Sequence, residues 1–206
     1  MSSWEPDATL VATLKKAAAA LRDAGVPFAV GGGFAAWARG APPTEHDVDL
    51  FICESDIATA LDTLAAAGMR TECPPEGWLV KAWDGDVLVD LIFAPSGFDV
   101  TPTVLARSEV LNVVGMEMLV LPAADIFVSR LLALSEHQMD FAGLLPLARA
   151  LREKVDWVEV RARVESSAYA RGFLYLLEEL EIIPSSTEPA QPMLENPVGH
   201  RTTTTR

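Results

Sequence analysis

The sequence is poor in cysteine, in histidine and in basic residues relative to acidic ones. Its 206 residues include two cysteines and three histidines. Cys53 and Cys73 are too few for a disulfide framework and lack the spacing of metal ligands, which favours a reducing cytoplasm. Lys and Arg number 16 against 29 Asp and Glu, a formal net charge of −13, so the field of the whole molecule repels nucleic acids and anionic membranes at long range. A polyanionic partner would have to be bound by a local basic patch or through metal ions.

Long hydrophobic runs are also missing. No window approaches the roughly 18 apolar residues typical of a transmembrane helix, and the N-terminus lacks the basic start and apolar core of a signal peptide. Hydrophobic residues nevertheless make up 50% of the chain and charged residues 22%, enough for one well-packed domain, or for a core with a small appended subdomain. We expect a globular cytoplasmic protein with no membrane partner.

The first half of the chain reads as a mixture of helices and strands. Apolar residues at helical spacing predict a helix over residues 6–24, with Asp7 as its N-cap and Gly25 as its stop. The strand VPFAV then leads into three glycines and a short helix, GFAAWAR. DVDLFIC is a strand, a helix capped by Ser55 follows, and GWLVKAW and DVLVDLIF form an antiparallel pair joined by DGD. Over residues 94–121 we expect short strands and loops, with MEMLVL the best strand candidate.

After Pro122 the pattern becomes helical. We therefore expect a catalytic core over residues 1–121 and a helical subdomain over residues 122–183. Residues 184–206 combine four prolines with Ser and Thr and show no apolar periodicity, which is typical of a disordered tail.

Two aspartates, Asp47 and Asp49, occupy positions i and i+2 of a predicted strand, so their side chains project from one face. Carboxylates held this close repel each other unless a divalent cation lies between them. Asp90 interrupts the apolar run of another predicted strand, where an isolated buried carboxylate would cost several kcal/mol. If these strands are neighbours, the three carboxylates converge beside Gly31 and Gly32, which begin a helix. Such a cluster suits Mg²⁺ and a nucleoside triphosphate, with phosphates on the backbone N–H groups.

Each of these features also has a plainer explanation. A glycine run between a strand and a helix can be only a tight turn, and a lone Asp-x-Asp is more often a solvated edge. The order of the features favours a site: glycines, one short helix, Asp-x-Asp on a strand and a third aspartate on a later strand.

This order resembles the nucleotidyltransferase superfamily that shares its fold with DNA polymerase β. Within it, the AbiEii-like branch, which includes the MenT toxins of toxin–antitoxin pairs, is the most similar, because LVLPAADIFVSRLLALSEHQMDFAGLLPLARAL resembles the segment that follows its catalytic residues. The resemblance covers approximately residues 10–180. It implies an α+β nucleotidyltransferase fold, a mixed sheet flanked by helices, with a C-terminal helical subdomain.

For the site, the resemblance implies that Gly31 and Gly32 let the backbone approach the triphosphate. Asp47 and Asp49 would hold two Mg²⁺ ions. Asp90 would complete the second metal site and help to deprotonate the attacking hydroxyl.

Basic residues are matched less completely. Arg130 stands where relatives often have a lysine that binds the triphosphate, and Asp140 matches an aspartate that begins the following helix, where it can act simply as a cap. Relatives commonly have a basic residue about four positions before the first aspartate, where this chain has Pro43. Arg39 or Lys81 could take its place.

The implied reaction is the Mg²⁺-dependent transfer of a nucleoside monophosphate from an NTP to an acceptor hydroxyl. Resemblance to the toxin branch suggests the 3′ end of tRNA as the acceptor and a cognate antitoxin as a partner. The cations available for an RNA end are Arg39, Lys81, Arg107, Arg130, Arg149 and Arg152. Two alternatives stay open: a small-molecule enzyme of the aminoglycoside or lincosamide kind, whose acidic surface would attract a cationic drug, and a degenerate, non-catalytic binding module.

Three more side chains lie near these motifs. His46 precedes Asp47, and its side chain is expected on the opposite face if the strand has begun, which disfavours a catalytic role. Trp78 and Trp83 flank Lys81; core packing is the favoured interpretation for both, and stacking on a base is the alternative.

Overall fold

The computed structural model describes residues 5–44 and 46–185, so the predicted tail from residue 186 onward lies outside the described residues. The elements in chain order are α1 (Ala8–Asp23), β1 (Phe28–Val30), α2 (Gly32–Trp37), β2 (Asp47–Ile52), α3 (Ile57–Ala66), β3 (Arg70–Glu72), β4 (Leu79–Asp84), β5 (Val87–Ile92), α4 (Pro102–Ala106), β6 (Glu109–Val113), β7 (Met116–Val120), α5 (Ala123–Leu132), α6 (Phe141–Leu151), α7 (Trp157–Arg163) and α8 (Ala168–Glu179).

The strands form one mixed sheet of seven, in the order β3-β4-β5-β2-β1-β7-β6. Two neighbouring pairs, β2 with β5 and β1 with β7, are parallel, and the other four pairs are antiparallel. The predicted hairpin of β4 and β5 is present. With helices packed around this sheet, the expected α+β architecture of a mixed sheet flanked by helices is confirmed.

The two faces of the sheet are covered differently. Helices α1 and α3 pack on one face, where Val48, Leu50, Val89 and Leu91 are all fully buried. Because successive side chains of a strand point to opposite faces, Asp47, Asp49 and Asp90 lie on the other face, which α5 approaches while packing against α2, α7 and α8. One continuous apolar core includes side chains from both halves of the chain.

Local signals explain most element boundaries, and the exceptions are short elements. Asp7 accepts hydrogen bonds from the N–H groups of Thr9 and Leu10 as predicted, and Gly25 follows α1 with a φ of +70°. The predicted cap at Ser55 is wrong, because a 3-10 turn over Glu54–Asp56 precedes α3.

Part of the segment expected to hold only strands and loops is also helical. Thr101 caps α4 by accepting from the N–H of Val104, and Pro102 occupies its first turn. The strand expected at MEMLVL is β7, which pairs with β6 as a hairpin.

Every element described after Pro122 is a helix. The division of the chain at residue 121 stays a prediction. Within residues 5–44 and 46–185, no helix combines the length and the apolar character needed to cross a membrane.

Candidate active site

The register of β2 and β5 brings the three aspartates together. These strands are parallel neighbours, and Asp49 lies opposite Asp90 in their register. Asp47 lies two residues before Asp49 and so shares its face. One carboxylate oxygen from each residue lies within 4.8 Å of the others. The convergence expected if the two strands are neighbours is therefore present.

Asp49 is electrostatically strained by this arrangement. Burial raises the pKa of Asp49 to about 7, and the negative charges of Asp47 and Asp90 add to the effect. Two groups act in the opposite direction: the guanidinium of Arg130, and the backbone N–H of Gly33, which donates a hydrogen bond to the carboxylate. These two groups only partly compensate the negative charge, so a cation placed here would be strongly favoured.

Asp90 is strained for similar reasons. Its pKa is raised to about 6, first by burial and then by Asp47, while Lys81 lowers it. Asp90 is only 9% exposed, and its buried Oδ1 has no hydrogen-bond partner among the described residues. A buried oxygen without a partner is costly unless a ligand satisfies it. Three hard oxygen donors, one of them unsatisfied, fit a divalent cation such as Mg²⁺.

The glycines allow the loop after β1 to lie directly against β2. The N–H of Gly31 donates to the carbonyl oxygen of Asp49 at 2.9 Å. A Cβ on Gly31 would overlap the ring of Phe51, and a Cβ on Gly32, whose φ is +49°, would overlap the carboxylate of Asp49. Close approach to β2 is thus one reason for glycine here. The contact with a triphosphate stays a prediction.

A cavity of about 630 Å³ lies between this face of the sheet and α5. Its size falls in the range that holds small ligands. Among the residues that line it are Gly32, His46, Asp47, Asp49, Asp90 and Arg130. The cavity therefore holds Gly32 of the glycine loop (residues 31–33), the acidic cluster (Asp47, Asp49 and Asp90) and the predicted triphosphate-binding Arg130.

Two other predicted basic residues lie elsewhere. Lys81 is opposite Asp90 in the β4–β5 register and acts on its charge, but it is not among the described residues that line the cavity. Arg39 is 5% exposed, and its guanidinium donates to Oε1 of Glu109 at 3.0 Å and to two backbone carbonyls. Arg39 is therefore ion-paired and is not among the described residues that line the cavity, and its suggested replacement of the basic residue missing at Pro43 stays a prediction.

Several residues that line the cavity were not assigned to the site from the sequence. His46 is exposed and lines the cavity. The opposite orientation was expected only if the strand had begun at His46, and β2 begins at Asp47, so that condition is not met. Ser96, Ser129 and Gln138 also line the cavity. They come from separate loops and a helix, so only the folded chain brings them together.

Asp125 is a further buried charge that the sequence reasoning did not single out. It is fully buried near the start of α5 and accepts from Arg107 at 3.1 Å and from Arg163 at 2.5 Å. These bonds link α5 to α4 and α7. Asp140 caps α6 by accepting from the N–H groups of the two residues after Phe141, which agrees with the capping role considered for it.

Solved structures similar to this one include the antibiotic-resistance factor ANT(2″)-Ia and the lincosamide antibiotic adenylyltransferase LnuA. ANT(2″)-Ia, solved in complex with adenylyl-2″-tobramycin, superposes with a TM-score of 0.60 at 17% identity, covering 82% of this chain and 98% of that one. The lincosamide antibiotic adenylyltransferase LnuA, lincomycin-bound, gives a TM-score of 0.51 at 10% identity, covering 73% and 99%. At these identities the similarity shows the fold alone, and it confirms the expected nucleotidyltransferase fold. No curated protein sequence matches the chain.

The sequence itself matches one family over most of its length. Residues 10–168 match the family described as "Nucleotidyl transferase of unknown function (DUF2204)". This range holds all three aspartates, the glycine loop and Arg130. The chain therefore belongs to the DUF2204 family of nucleotidyl transferases and is a nucleotidyltransferase.

Proposed function

We propose that the protein transfers a nucleoside monophosphate from an NTP to an acceptor hydroxyl, and that the acceptor is the 3′ end of a tRNA. One observation supports this reaction above the others. The acidic cluster of Asp47, Asp49 and Asp90 lines the same cavity as Gly32 and Arg130. We propose a cytoplasmic location for the protein, because the reaction consumes an NTP and both cysteines are free thiols.

Asp47, Asp49 and Asp90 would hold the metal in this proposal. Two Mg²⁺ ions bound there would supply positive charge to the reacting phosphate and lower the pKa of the acceptor hydroxyl. The partnerless oxygen of Asp90 is suited to receive the proton of that hydroxyl. The acceptor oxygen then forms a bond to the α-phosphorus, the bond to the β-phosphate breaks, and pyrophosphate leaves in line.

Arg130 and the glycine loop would hold the triphosphate. The positive charge of Arg130 lies close enough to Asp49 to lower the pKa of its carboxylate. The planar guanidinium can donate two hydrogen bonds to phosphate oxygens. Gly32 has no side chain to fill the space beside Asp49. We therefore assign the pyrophosphate end of the NTP to the Gly32–Arg130 side of the cavity.

The tRNA end as acceptor is supported by the resemblance to the toxin branch. Three of the six cations considered for RNA are ion-paired: Arg39 with Glu109, Arg107 with Asp125, and Arg152 with Glu153. Among the described residues the unpaired candidates are Lys81, Arg130 and Arg149, and Arg130 is already assigned to the triphosphate. The two cations left for the RNA, Lys81 and Arg149, match a short single-stranded end better than a large RNA footprint. A cognate antitoxin, as in that branch, would be the partner that restrains the enzyme.

A small hydroxylated molecule is the second candidate acceptor. Its support is the excess of acidic residues, with a net charge of −13, which attracts a cationic compound. The folds of ANT(2″)-Ia, solved with adenylyl-2″-tobramycin, and of lincomycin-bound LnuA are consistent with it.

One labelling experiment tests these proposals. The protein is incubated with Mg²⁺ and each α-labelled NTP in turn, with total tRNA, periodate-oxidised tRNA, an aminoglycoside panel or a protein lysate. We expect label on intact tRNA and none on oxidised tRNA, whose terminal hydroxyls are destroyed.

Asp49→Asn should abolish the transfer, and Asp62→Asn, on the exposed surface of α3, is the matched control that should retain it. Label on a drug alone would replace the tRNA end with a small acceptor. An absence of label on every acceptor, with Mg²⁺ and NTP bound, would contradict the proposed acceptors.

A further inference from the structure

Trp78 is an exposed tryptophan in the wall of the catalytic cavity. It lies immediately before β4 and is 40% exposed, although tryptophan is usually well buried. Its carbonyl oxygen accepts from the N–H groups of Phe93 and Ala94, both at 3.1 Å. The backbone of Trp78 is therefore held against the end of β5, at a position that lines the cavity.

Trp83, on the same hairpin, has a different environment. It is opposite Leu88 on β5, and the guanidinium of Arg70 lies over its ring at 5.2 Å from the centroid. Its indole Nε1 is buried, and it is not among the described residues that line the cavity. Trp83 is therefore packed within the fold, although its Nε1 has no hydrogen-bond partner among the described residues, whereas Trp78 is left exposed at the cavity.

The position of Trp78 in the cavity indicates which of the two substrates, the NTP or the acceptor, lies beside it. In an in-line transfer, the attacking oxygen and the leaving pyrophosphate lie on opposite sides of the α-phosphorus. Gly32 follows β1, on one side of β2, whereas Asp90 is on β5, on the other side. With the pyrophosphate assigned to the Gly32–Arg130 side, the attacking hydroxyl enters beside Asp90. Trp78 immediately precedes β4, the next strand beyond β5, and so lies on the acceptor side.

We propose that Trp78 stacks on a nucleobase of the acceptor, the terminal base of an RNA 3′ end. The inference rests on the proposed function and identifies the acceptor by its flat aromatic ring. Unpaired bases bind proteins largely by stacking on aromatic side chains. Ile92 and Pro95 add apolar surface to the same cavity, and Gln138 brings an amide that can both donate and accept at a base edge. A saccharide drug offers no flat aromatic ring to this surface.

The test measures binding of the trinucleotide CCA and of a non-transferable NTP analogue, each in the presence of Mg²⁺, by calorimetry. The variants are Trp78→Ala and Trp78→Phe, with Trp83→Phe as the matched control. Trp78→Ala should weaken CCA binding by between about 5-fold and 150-fold, the usual value of one stacked base. Trp78→Phe should recover most of the affinity, Trp83→Phe should match the wild type, and no variant should change the affinity for the NTP analogue.

Three results would overturn the inference. If Trp78→Ala weakens the NTP analogue and spares CCA, Trp78 holds the donor base. If Trp78→Ala binds CCA as the wild type does, Trp78 is not a stacking surface. If the wild type binds the NTP analogue but not CCA, the acceptor carries no such ring, while the nucleotide site of the proposed function is intact. Melting temperatures of the variants identify any that fail to fold, and Trp78→Phe then keeps the test decisive.

Discussion

Replacing Gly32 by alanine tests whether the glycine loop is shaped around Asp49. Gly32 has a φ of +49°, a conformation that costs a residue with a Cβ roughly 1–2 kcal/mol. The new Cβ would also overlap the carboxylate of Asp49, so the loop or the aspartate must move. Gly25 provides a matched control, because its φ is +70° and a Cβ there meets open space. The two alanine variants share the backbone cost and differ in the overlap.

The magnitudes follow from this difference. Both variants should lose about 1–2 kcal/mol of unfolding free energy from the backbone term. Gly32→Ala should additionally displace Asp49 relative to Asp47 and Asp90. A displacement of about 1 Å at a reacting centre can cost about 100-fold in rate, which corresponds to about 2.7 kcal/mol of transition-state stabilisation. We therefore expect a nucleotidyl-transfer rate roughly 100-fold lower in Gly32→Ala and an almost unchanged rate in Gly25→Ala.

Urea unfolding measures the loss of unfolding free energy, and label transfer from an α-labelled NTP measures the nucleotidyl-transfer rate. The rise in melting temperature with added Mg²⁺ gives an independent readout of the acidic cluster, which does not require a known acceptor. Gly32→Ala should lose this rise and Gly25→Ala should keep it. The reasoning is refuted if both variants transfer label equally fast, or if Mg²⁺ stabilises both equally.

Three further predictions concern charges. In metal-free protein, the raised pKa of Asp49 means that the folded state binds a proton more tightly than the unfolded state. The wild type should therefore lose stability relative to Asp49→Asn as pH rises from about 4 to about 7. Urea unfolding across this window measures the difference in unfolding free energy, and a difference that stays constant would contradict the raised pKa. Arg130→Gln should raise the KM for NTP about tenfold with a smaller change in kcat, because one charge-assisted contact with phosphate is lost; initial rates over a range of NTP concentrations would show an unchanged KM if Arg130 does not touch the nucleotide. Asp125→Asn should lower the unfolding free energy by about 3 kcal/mol, whereas Arg107→Gln, removing a guanidinium that is 45% exposed, should cost less than about 1 kcal/mol; equal losses in urea unfolding would show that Asp125 is not the buried charge that matters.

Much of the fold follows from local patterns in the sequence. The helical spacing of α1, with its cap at Asp7, and the apolar strands around the aspartates depend on neighbours within a few residues. The elements that were missed are short: β3 has three residues and α4 has five. Such segments contain too few side chains for a periodic pattern, and tertiary contacts decide their conformation.

The acidic cluster was predictable for a specific reason. Strand alternation places Asp47 and Asp49 on one face, and an aspartate inside an apolar strand needs a partner. Whether Asp90 joined them depended on β2 and β5 being neighbours, which no local pattern states. The superfamily resemblance supplied that expectation, and the parallel register of the two strands agrees with it.

The basic residues could not be assigned in this way, because ion pairs join distant parts of the chain. Arg39 looks available in the sequence, yet its partner Glu109 is 70 residues away. Arg107 is likewise engaged by Asp125 on α5. Arg130 differs because it is exposed on α5 and lines the cavity. Counting cations along the sequence therefore overestimated the positive charge available to a polyanionic substrate.

The same register that assembles the cluster also explains how the fold tolerates it. Opposite the aspartates, the buried face of β2 and β5 carries Leu50, Val89 and Leu91, each fully buried beneath α1 and α3. Burying each such side chain contributes about 1.5–3 kcal/mol. A slip of one residue between the strands would separate the carboxylates, but it would also move these apolar side chains to the cavity face. The apolar face thus holds mutually repelling carboxylates together until a cation neutralises them. Weakening that face, for example by Leu91→Ala, should reduce Mg²⁺ affinity although the side chain of Leu91 lies on the face of the sheet opposite the aspartates.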